Sequence, residues 1–186
     1  GNEILGATFG FIGINGGTHL HSHMSAVVPS SRDLGIGALM KNHQYNWALE
    51  RKIPFISWTF DPLVKRNARF NISKLGVEIS DYFQDFYGPM TDLVNAGDAS
   101  DRLMVKWQVL NGGPQSSKDF PEIPKGAINI AIPLDIVALR AKSAQEAMAE
   151  RLRVREEFLT AFDSGYKVIG FSNAHGYILS KVESGK

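Results

Sequence analysis

The segment His21–Lys52, HSHMSAVVPSSRDLGIGALMKNHQYNWALERK, decides how this chain is read. It passes from a strand-like run through a polar turn into a helical run. At the junction stands Arg32-Asp33-Leu34-Gly35-Ile36-Gly37, an R-x-x-G-x-G spacing. Glycines there let backbone amides approach a ligand, and the helix that follows presents the positive end of its dipole, so the loop reads as a phosphate cradle. The same glycines also suit a tight strand-to-helix turn that needs no ligand. Helical periodicity predicts a helix from Gly37 to about Lys52, with Ile36, Met40, His43 and Trp47 on one stripe and His43 near the edge of the core.

Upstream, Thr18–Val28 reads as a strand ending at Pro29. Glu3–Ile12 is a second strand, joined to it by Asn15-Gly16-Gly17, residues that tolerate positive φ, so a hairpin is expected. His19, His21 and His23 alternate along the strand and fall on one face. Three imidazoles so placed suit general-base chemistry near neutral pH. They could also present nitrogen ligands to zinc, although no acidic ligand stands near them in sequence. A bland placement at the edge of a hairpin core fits the same spacing.

Downstream, Phe55–Phe60 is a short strand. Asp61-Pro62 then suits a helix start, with Asp61 as a cap rather than a catalytic carboxylate, and Leu63–Leu75 is a helix burying Val64, Ala68, Ile72 and Leu75 before Gly76. Val77–Ile79 is a strand, Tyr82–Met90 an aromatic segment more suited to packing than to chemistry, and Leu103–Leu110 a further strand. Residues 111–126, rich in Gly, Pro, Ser and Lys, read as a linker. A C-terminal lobe follows, in the order β-α-α-β-β. It has a strand over Ala127–Ile132, and Ser143 and Glu146 form a capping box for a helix over Ala144–Phe162, whose apolar side is Met148, Leu152, Leu159 and Phe162. A hairpin then pairs Tyr166–Phe171 with Tyr177–Val182. Gly170-Phe171-Ser172-Asn173-Ala174 has the spacing of a nucleophile elbow, but a strand rather than a helix follows it, so it reads as a hairpin turn. Trp47, Trp58 and Trp107 read as core.

Composition narrows the function class. The 186 residues are 44% apolar, enough for one domain or one domain with an appended lobe. Twenty basic residues against 19 acidic ones, without long runs of either sign, give no electrostatic reason to expect nucleic acid or a membrane surface. The absence of cysteine excludes disulfides, thiolate metal sites and a cysteine nucleophile, and is compatible with the cytoplasm. The start, GNEILGATFG, lacks the charged and continuously apolar regions of a signal peptide.

With Val27-Val28-Pro29 before the glycine loop, a strand after its helix, and N-A-R-F-N-I-S-K-L-G at Asn67–Gly76, the chain resembles the GNAT N-acetyltransferase superfamily. HLHSHM, WTFDP and DFYGPM extend the likeness to a poorly characterised branch of predicted acyltransferases, over nearly the whole length. The resemblance implies an α/β (α+β in some schemes) fold, a GNAT-like mixed twisted sheet with flanking helices. Residues 1–110 would form its acyl-CoA-binding core, residues 111–126 a linker, and residues 127–186 the lobe, packed on the core or on a partner chain in a homodimer. The strand, two helices and strand that usually precede the hairpin have no counterpart, so the core would be N-terminally incomplete.

By the same resemblance, acetyl-CoA or another acyl-CoA is the cofactor. Arg32, Asp33, Leu34, Gly35, Ile36, Gly37 and Ala38 would bind its pyrophosphate, chiefly through backbone amides. Val27 and Val28, at the end of Ser25–Val28, would lie along the pantetheine, and Asn67 would face its arm. The acyl group would pass to an amine of a small molecule or amino acid. His21 or His23 would serve as base, and the sequence does not choose between them; Tyr87, or else Tyr82, would serve as acid, because Ile72 stands where many of these enzymes carry a tyrosine. Two other functions stay open: a GNAT-like CoA-binding or structural module without turnover, and a metal-dependent hydrolase built on His19, His21 and His23.

Overall fold

The computed structural model describes residues 3–88, 99–110 and 120–181. Most of the expected linker, residues 111–119, and Met90 and Val182 at the ends of two expected segments lie outside them. In chain order the elements are β1 (Gly6–Gly13), β2 (His19–Val27), a 3-10 turn (Pro29–Ser31), α1 (Ile36–Glu50), β3 (Phe55–Phe60), α2 (Lys65–Ala68), a π-helical turn (Arg69–Lys74), β4 (Glu78–Phe83), β5 (Arg102–Gln108), β6 (Ile128–Ile130), α3 (Ile136–Lys142), α4 (Ala144–Asp163), β7 (Tyr166–Ser172) and β8 (Gly176–Lys181). No helix among the described residues is long and apolar enough to cross a membrane.

The described residues of Gly1–Thr59 and Val105–Gln115 cluster as one compact unit, and those of Phe60–Met104 and Ser116–Lys186 as another. The division runs through β3 and β5.

In the first unit the strands lie in the order β1-β2-β3-β5. Gly16 and Gly17, at φ 73° and 102°, make the turn that lets β1 and β2 pair antiparallel. α1 then carries the chain across to β3, which runs parallel to β2. The sheet is therefore mixed, with a helix on one face. Leu20, Ile56, Trp58, Val105 and Trp107 pack there with Tyr45 and Ala48 of α1. Trp107 lies 5.0 Å from the Tyr45 ring and edge-on to Trp58 at 5.9 Å, and Tyr45 Oη donates to the Val109 carbonyl over 3.0 Å.

Two expectations about this unit are corrected. The buried face of α1 is Lys41, Gln44, Tyr45 and Ala48, not the stripe through Met40 and Trp47. Two of these four are polar, which hides the stripe from a reading based on hydrophobicity, and they are tolerated because they are hydrogen-bonded inside. His43 is exposed and Trp47 only half-buried, its ring stacked under the Arg51 guanidinium at 4.2 Å.

In the second unit, β4 neighbours β5, and β6, β8 and β7 form a separate antiparallel sheet in that order. The lobe has the expected β-α-α-β-β order. Asp135 caps α3 by accepting from the amides of Val137 and Ala138, and Ser143 caps α4 by accepting from Glu146 N–H. Against expectation, α4 buries Ala147, Arg151, Val154, Phe158 and Ala161, while Leu152 is exposed. The reason is Arg151: it lies in the core because both oxygens of Asp61 pair with it, at 2.9 and 3.2 Å.

Asp61 is accordingly an ion-pair partner that also accepts from Leu63 N–H, not the cap of α2, which starts two residues after Leu63. The helix expected over Leu63–Leu75 is a single α-turn followed by the π turn, although Ala68, Ile72 and Leu75 are buried as expected. Ser172 Oγ accepts from the amides of Ala174 and His175, which makes the β7–β8 corner the hairpin turn that was expected.

Candidate functional site

The polar junction between β2 and α1 is built almost wholly from backbone. Val27 pairs with Gly6, and Val28 N–H donates to the Leu5 carbonyl over 2.9 Å, so the end of β2 is anchored to β1. The chain makes one 3-10 turn, extends through Arg32, and bends at Asp33 and Gly35, whose φ values are 65° and 82°. Aspartate is one of the few non-glycine residues that enter this left-handed region readily. Gly35 is the N-cap of the 15-residue α1, and no side chain caps that end. Its carbonyl accepts from the amides of Ala38 and Leu39 at 3.0 and 3.1 Å. This end of the helix dipole lies next to Arg32, Asp33 and Leu34, which are exposed.

The strands next to this loop part company. β2 and β3 are in register only at Leu20↔Ile56 and His21↔Ser57 among the described residues. On the other edge, Phe9 faces Met24 while its neighbour Gly10 faces Ser22, so His23 is the extra residue of a bulge. A bulge bends and twists the bulged strand, and here it lies just where β2 leaves β3. The result is an opening in the β2–β3 ladder: past His21↔Ser57, Ser22–Val27 and the last residues of β3 are not paired with each other among the described residues.

The three histidines do share one face, but in different settings. His19 is buried, stacked on Phe55 at 4.7 Å, with Nδ1 2.8 Å from the Gly17 carbonyl. His21 is half-buried, its ring 5.1 Å from Phe11, with Nδ1 2.9 Å from Ser57 Oγ. His23 is exposed, beside Phe9 and Phe11 at 6.2 and 5.7 Å. Burial, joined by positive charge on His19, His23 and Lys41, holds the His21 imidazole below its usual pKa. The ring is therefore neutral near pH 7. Among the described residues no group of three His, Cys, Asp or Glu is arranged to hold a metal ion, which removes the geometric basis of the zinc reading.

Across the sheet from these rings lies a cluster that the sequence did not point to. Lys41 is 6% exposed; its Nζ donates to Ser22 Oγ over 2.7 Å and lies 3.8 Å above the centre of the Trp58 ring. Ser22 Oγ donates to Gln44 Oε1, and Gln44 Nε2 donates to Thr8 Oγ1, both over 2.9 Å. Thr8 in turn reaches the Met24 carbonyl and Ser25 Oγ, at 3.0 and 2.9 Å. Burial without a carboxylate partner lowers the Lys41 pKa to about 7. The signal that could have found this cluster is the α1 spacing 41, 44, 45, 48, which is a helical face once lysine and glutamine are admitted to it.

The remaining candidates belong to the second unit. Asn67 is half-buried in α2. Tyr87 is exposed, its backbone amide bonded to Ser100 Oγ and its ring 5.1 Å from the Arg102 guanidinium. Tyr82 Oη donates to Asp101 over 2.6 Å; burial first, and this bond second, raise its pKa well above the usual value. Ile72 is buried, as expected of its stripe.

No family model matches the chain, and no curated protein matches it. Among solved structures it is similar to Arabidopsis thaliana Naa50 in complex with the bisubstrate analogue CoA-Ac-MVNAL, at 20% identity and a TM-score of 0.42. The match covers 55% of this chain and 64% of that one, so the chain spans less than two thirds of the neighbour's length. The mixed sheet flanked by helices is of the α/β class that the sequence reading implied.

Proposed function

We propose that the chain carries an acyl-CoA-dependent N-acyltransferase site, moving an acetyl or other acyl group to the amine of a small molecule or amino acid. The observation that carries this reading is the end of the β2–β3 ladder at His21↔Ser57, with β2 running on to a helix N-terminus that no side chain caps. An extended thioester arm needs unpaired strand backbone to lie along, and a pyrophosphate needs converging amides. In this reading β2 beyond His21 supplies the first, and the turn that follows it the second.

In this reading the first-turn amides after Gly35, with Arg32, take the pyrophosphate. Ser25–Val28 lies along the pantetheine. A β2 amide in the opening donates to the thioester oxygen, where negative charge grows as the amine attacks. His21 is the better base of the two histidines. Its ring is neutral near pH 7 and oriented by Ser57, whereas His23 is exposed and has no hydrogen-bond partner of that kind. With Nδ1–H donating to Ser57, Nε2 is free to take a proton from an incoming ammonium group.

Binding of acetyl-CoA and CoA, followed by thermal shift and calorimetry, tests the site, and release of free thiol across a panel of amines tests turnover. CoA binding with thiol release is the expected result. Binding without turnover on any amine would instead favour the inactive CoA-binding module, a reading that the buried Ile72 in the usual acid position supports. No binding of either ligand overturns the proposal.

A further inference from the structure

Lys41 occupies the root of the opening. The last ladder pair between β2 and β3 is His21↔Ser57, and the next residue on each strand is Ser22 and Trp58. Lys41 Nζ touches both, at 2.7 Å from Ser22 Oγ and 3.8 Å from the Trp58 ring centre. An amine in that position stands where the β2–β3 ladder ends, on the side of the sheet that faces α1, while His21 stands on the opposite side. The reaction proposed above needs two proton-handling groups, and the residue that would supply the acid by family resemblance is replaced by Ile72.

Resting on that reading, we infer that Lys41 is the general acid of the transfer, its ammonium group protonating the CoA thiolate as the carbon–sulfur bond breaks at the root of the β2–β3 opening. The protons balance. His21 takes one from the ammonium substrate, and the free amine attacks the thioester carbon and forms the C–N bond. The C–S bond then breaks with its electron pair going to sulfur, and Lys41 Nζ gives sulfur a proton. The second proton lost by nitrogen passes to solvent, and neutral Lys41 is recharged from the same pool, so one proton is released per amide formed.

The surroundings suit this role. Ser22 accepts from Lys41 and passes its own proton toward Gln44, which is held in turn by Thr8, so the amine is fixed in place without a counter-charge. Among the described residues, no carboxylate pairs with Lys41. The charged or titratable group near it on β2 is His21, β3 offers only the π-face of Trp58, and α1 itself offers Gln44. An acid works best when its pKa lies near the working pH, and burial brings Lys41 to about 7. A thiolate arriving beside the ammonium group is stabilised by attraction to that charge, which is stronger in the low dielectric of a buried site.

The decisive experiment needs no acceptor. The thiolate absorbance of CoA bound to the full chain is titrated from pH 6 to 10, with desulfo-CoA as the blank, in wild type and in Lys41→Met. The expected result in wild type is an early step of thiolate absorbance, at least ~1 pH unit below free CoA, as the thiol and Lys41 share the first proton lost, and no such step in the variant, with CoA affinity unchanged within about threefold. Equal titration in both overturns the assignment, even if CoA binds well. Should the variant not fold, wild type alone decides, since a bound thiol that titrates as free CoA overturns the assignment. Failure of CoA to bind the wild-type chain is a different result: it removes the acyl-CoA reading itself, and the Lys41 role falls with it. If an acceptor is in hand, Lys41→Met lowers turnover of acetyl-CoA by ~10²-fold or more, and that of a p-nitrothiophenyl thioester far less, because the latter thiolate leaves unaided. Equal losses would mark a merely structural lysine.

Discussion

The amine of Lys41 and the hydroxyl of Ser22 meet at 2.7 Å inside the helix–sheet interface, where the lysine is 6% exposed. A cation so placed makes folding depend on pH. The folded pKa, about 7, lies below the ordinary 10.5. Between these values the unfolded chain binds more protons, so stability rises with pH across that window, by at most ~1.4 kcal/mol per unit. The penalty is fully present below about pH 7. Urea midpoints between pH 7 and 10 should climb in wild type and flatten in Lys41→Met; a wild-type curve without the climb would show that the amine is solvated.

His21 must be neutral to act as a base, and its pKa is held below 6.5 by burial and by His19, His23 and Lys41. With an acceptor in hand, kcat/KM should fall on the acid side with an apparent pKa below 6.5. His21→Ala should lower kcat by ~10²-fold or more and abolish that limb. His23→Ala should cost only a few-fold, since that ring is exposed. The reverse ranking would transfer the role to His23.

In the second unit the fully buried carboxylate of Asp101 accepts from Arg155 at 2.6 and 2.9 Å, from Tyr82 at 2.6 Å and from the Asp85 amide at 3.1 Å. Burial pushes this carboxyl up, but the bonds from Arg155, Tyr82 and Asp85 outweigh it and hold the pKa below the ordinary 3.8. The stability it contributes is therefore present above pH 3.8 and lost as pH falls through the lower folded value. Arg155→Ala leaves a buried charge short of its partner and should cost ~3–5 kcal/mol in chemical denaturation at pH 7. Tyr82→Phe should cost less, ~1.5–3 kcal/mol, as one bond to a charged group.

Gly176 opens β8 at φ 82°, and a Cβ there would overlap the Ile130 carbonyl oxygen. Gly176→Ala should lose more than ~2 kcal/mol and perturb the β6–β8 pairing, seen as lost amide protection at Ile130 and Ile178. Gly35 has a similar φ, 82°, but open space around it. Gly35→Ala should cost only the strain of a left-handed residue, ~1–2 kcal/mol, and weaken CoA binding if the first turn of α1 holds the pyrophosphate.

Local chemistry made some features readable and left others hidden. The β1–β2 hairpin was legible from Asn15-Gly16-Gly17, and the glycine loop placed the start of α1 at Gly37, one residue after its actual first residue, Ile36. The cap of α4 was legible because a short polar side chain satisfies a backbone amide within three residues, and the β7–β8 corner because a strand, not a helix, follows it. The helix faces were misread wherever a charged residue went inside. Lys41 and Arg151 both look like surface residues in sequence, and only partners far along the chain, Ser22 and Asp61, make their burial affordable. Ser57 was invisible as the orienting partner of His21 for the same reason, since 36 residues separate them.

By itself, the sequence determined the element order, the turn chemistry around Gly35 and the alternation that puts His19, His21 and His23 on one face, because each depends on backbone preferences and side-chain periodicity over a few residues. Tertiary structure decided the rest. The parallel register of β2 and β3 stops at His21↔Ser57, the bulge falls at His23, and Lys41 lands at the root of the opening. Those outcomes depend on strand pairing across a helical crossover and on which buried polar groups find partners there, and neither is fixed by any local run of residues.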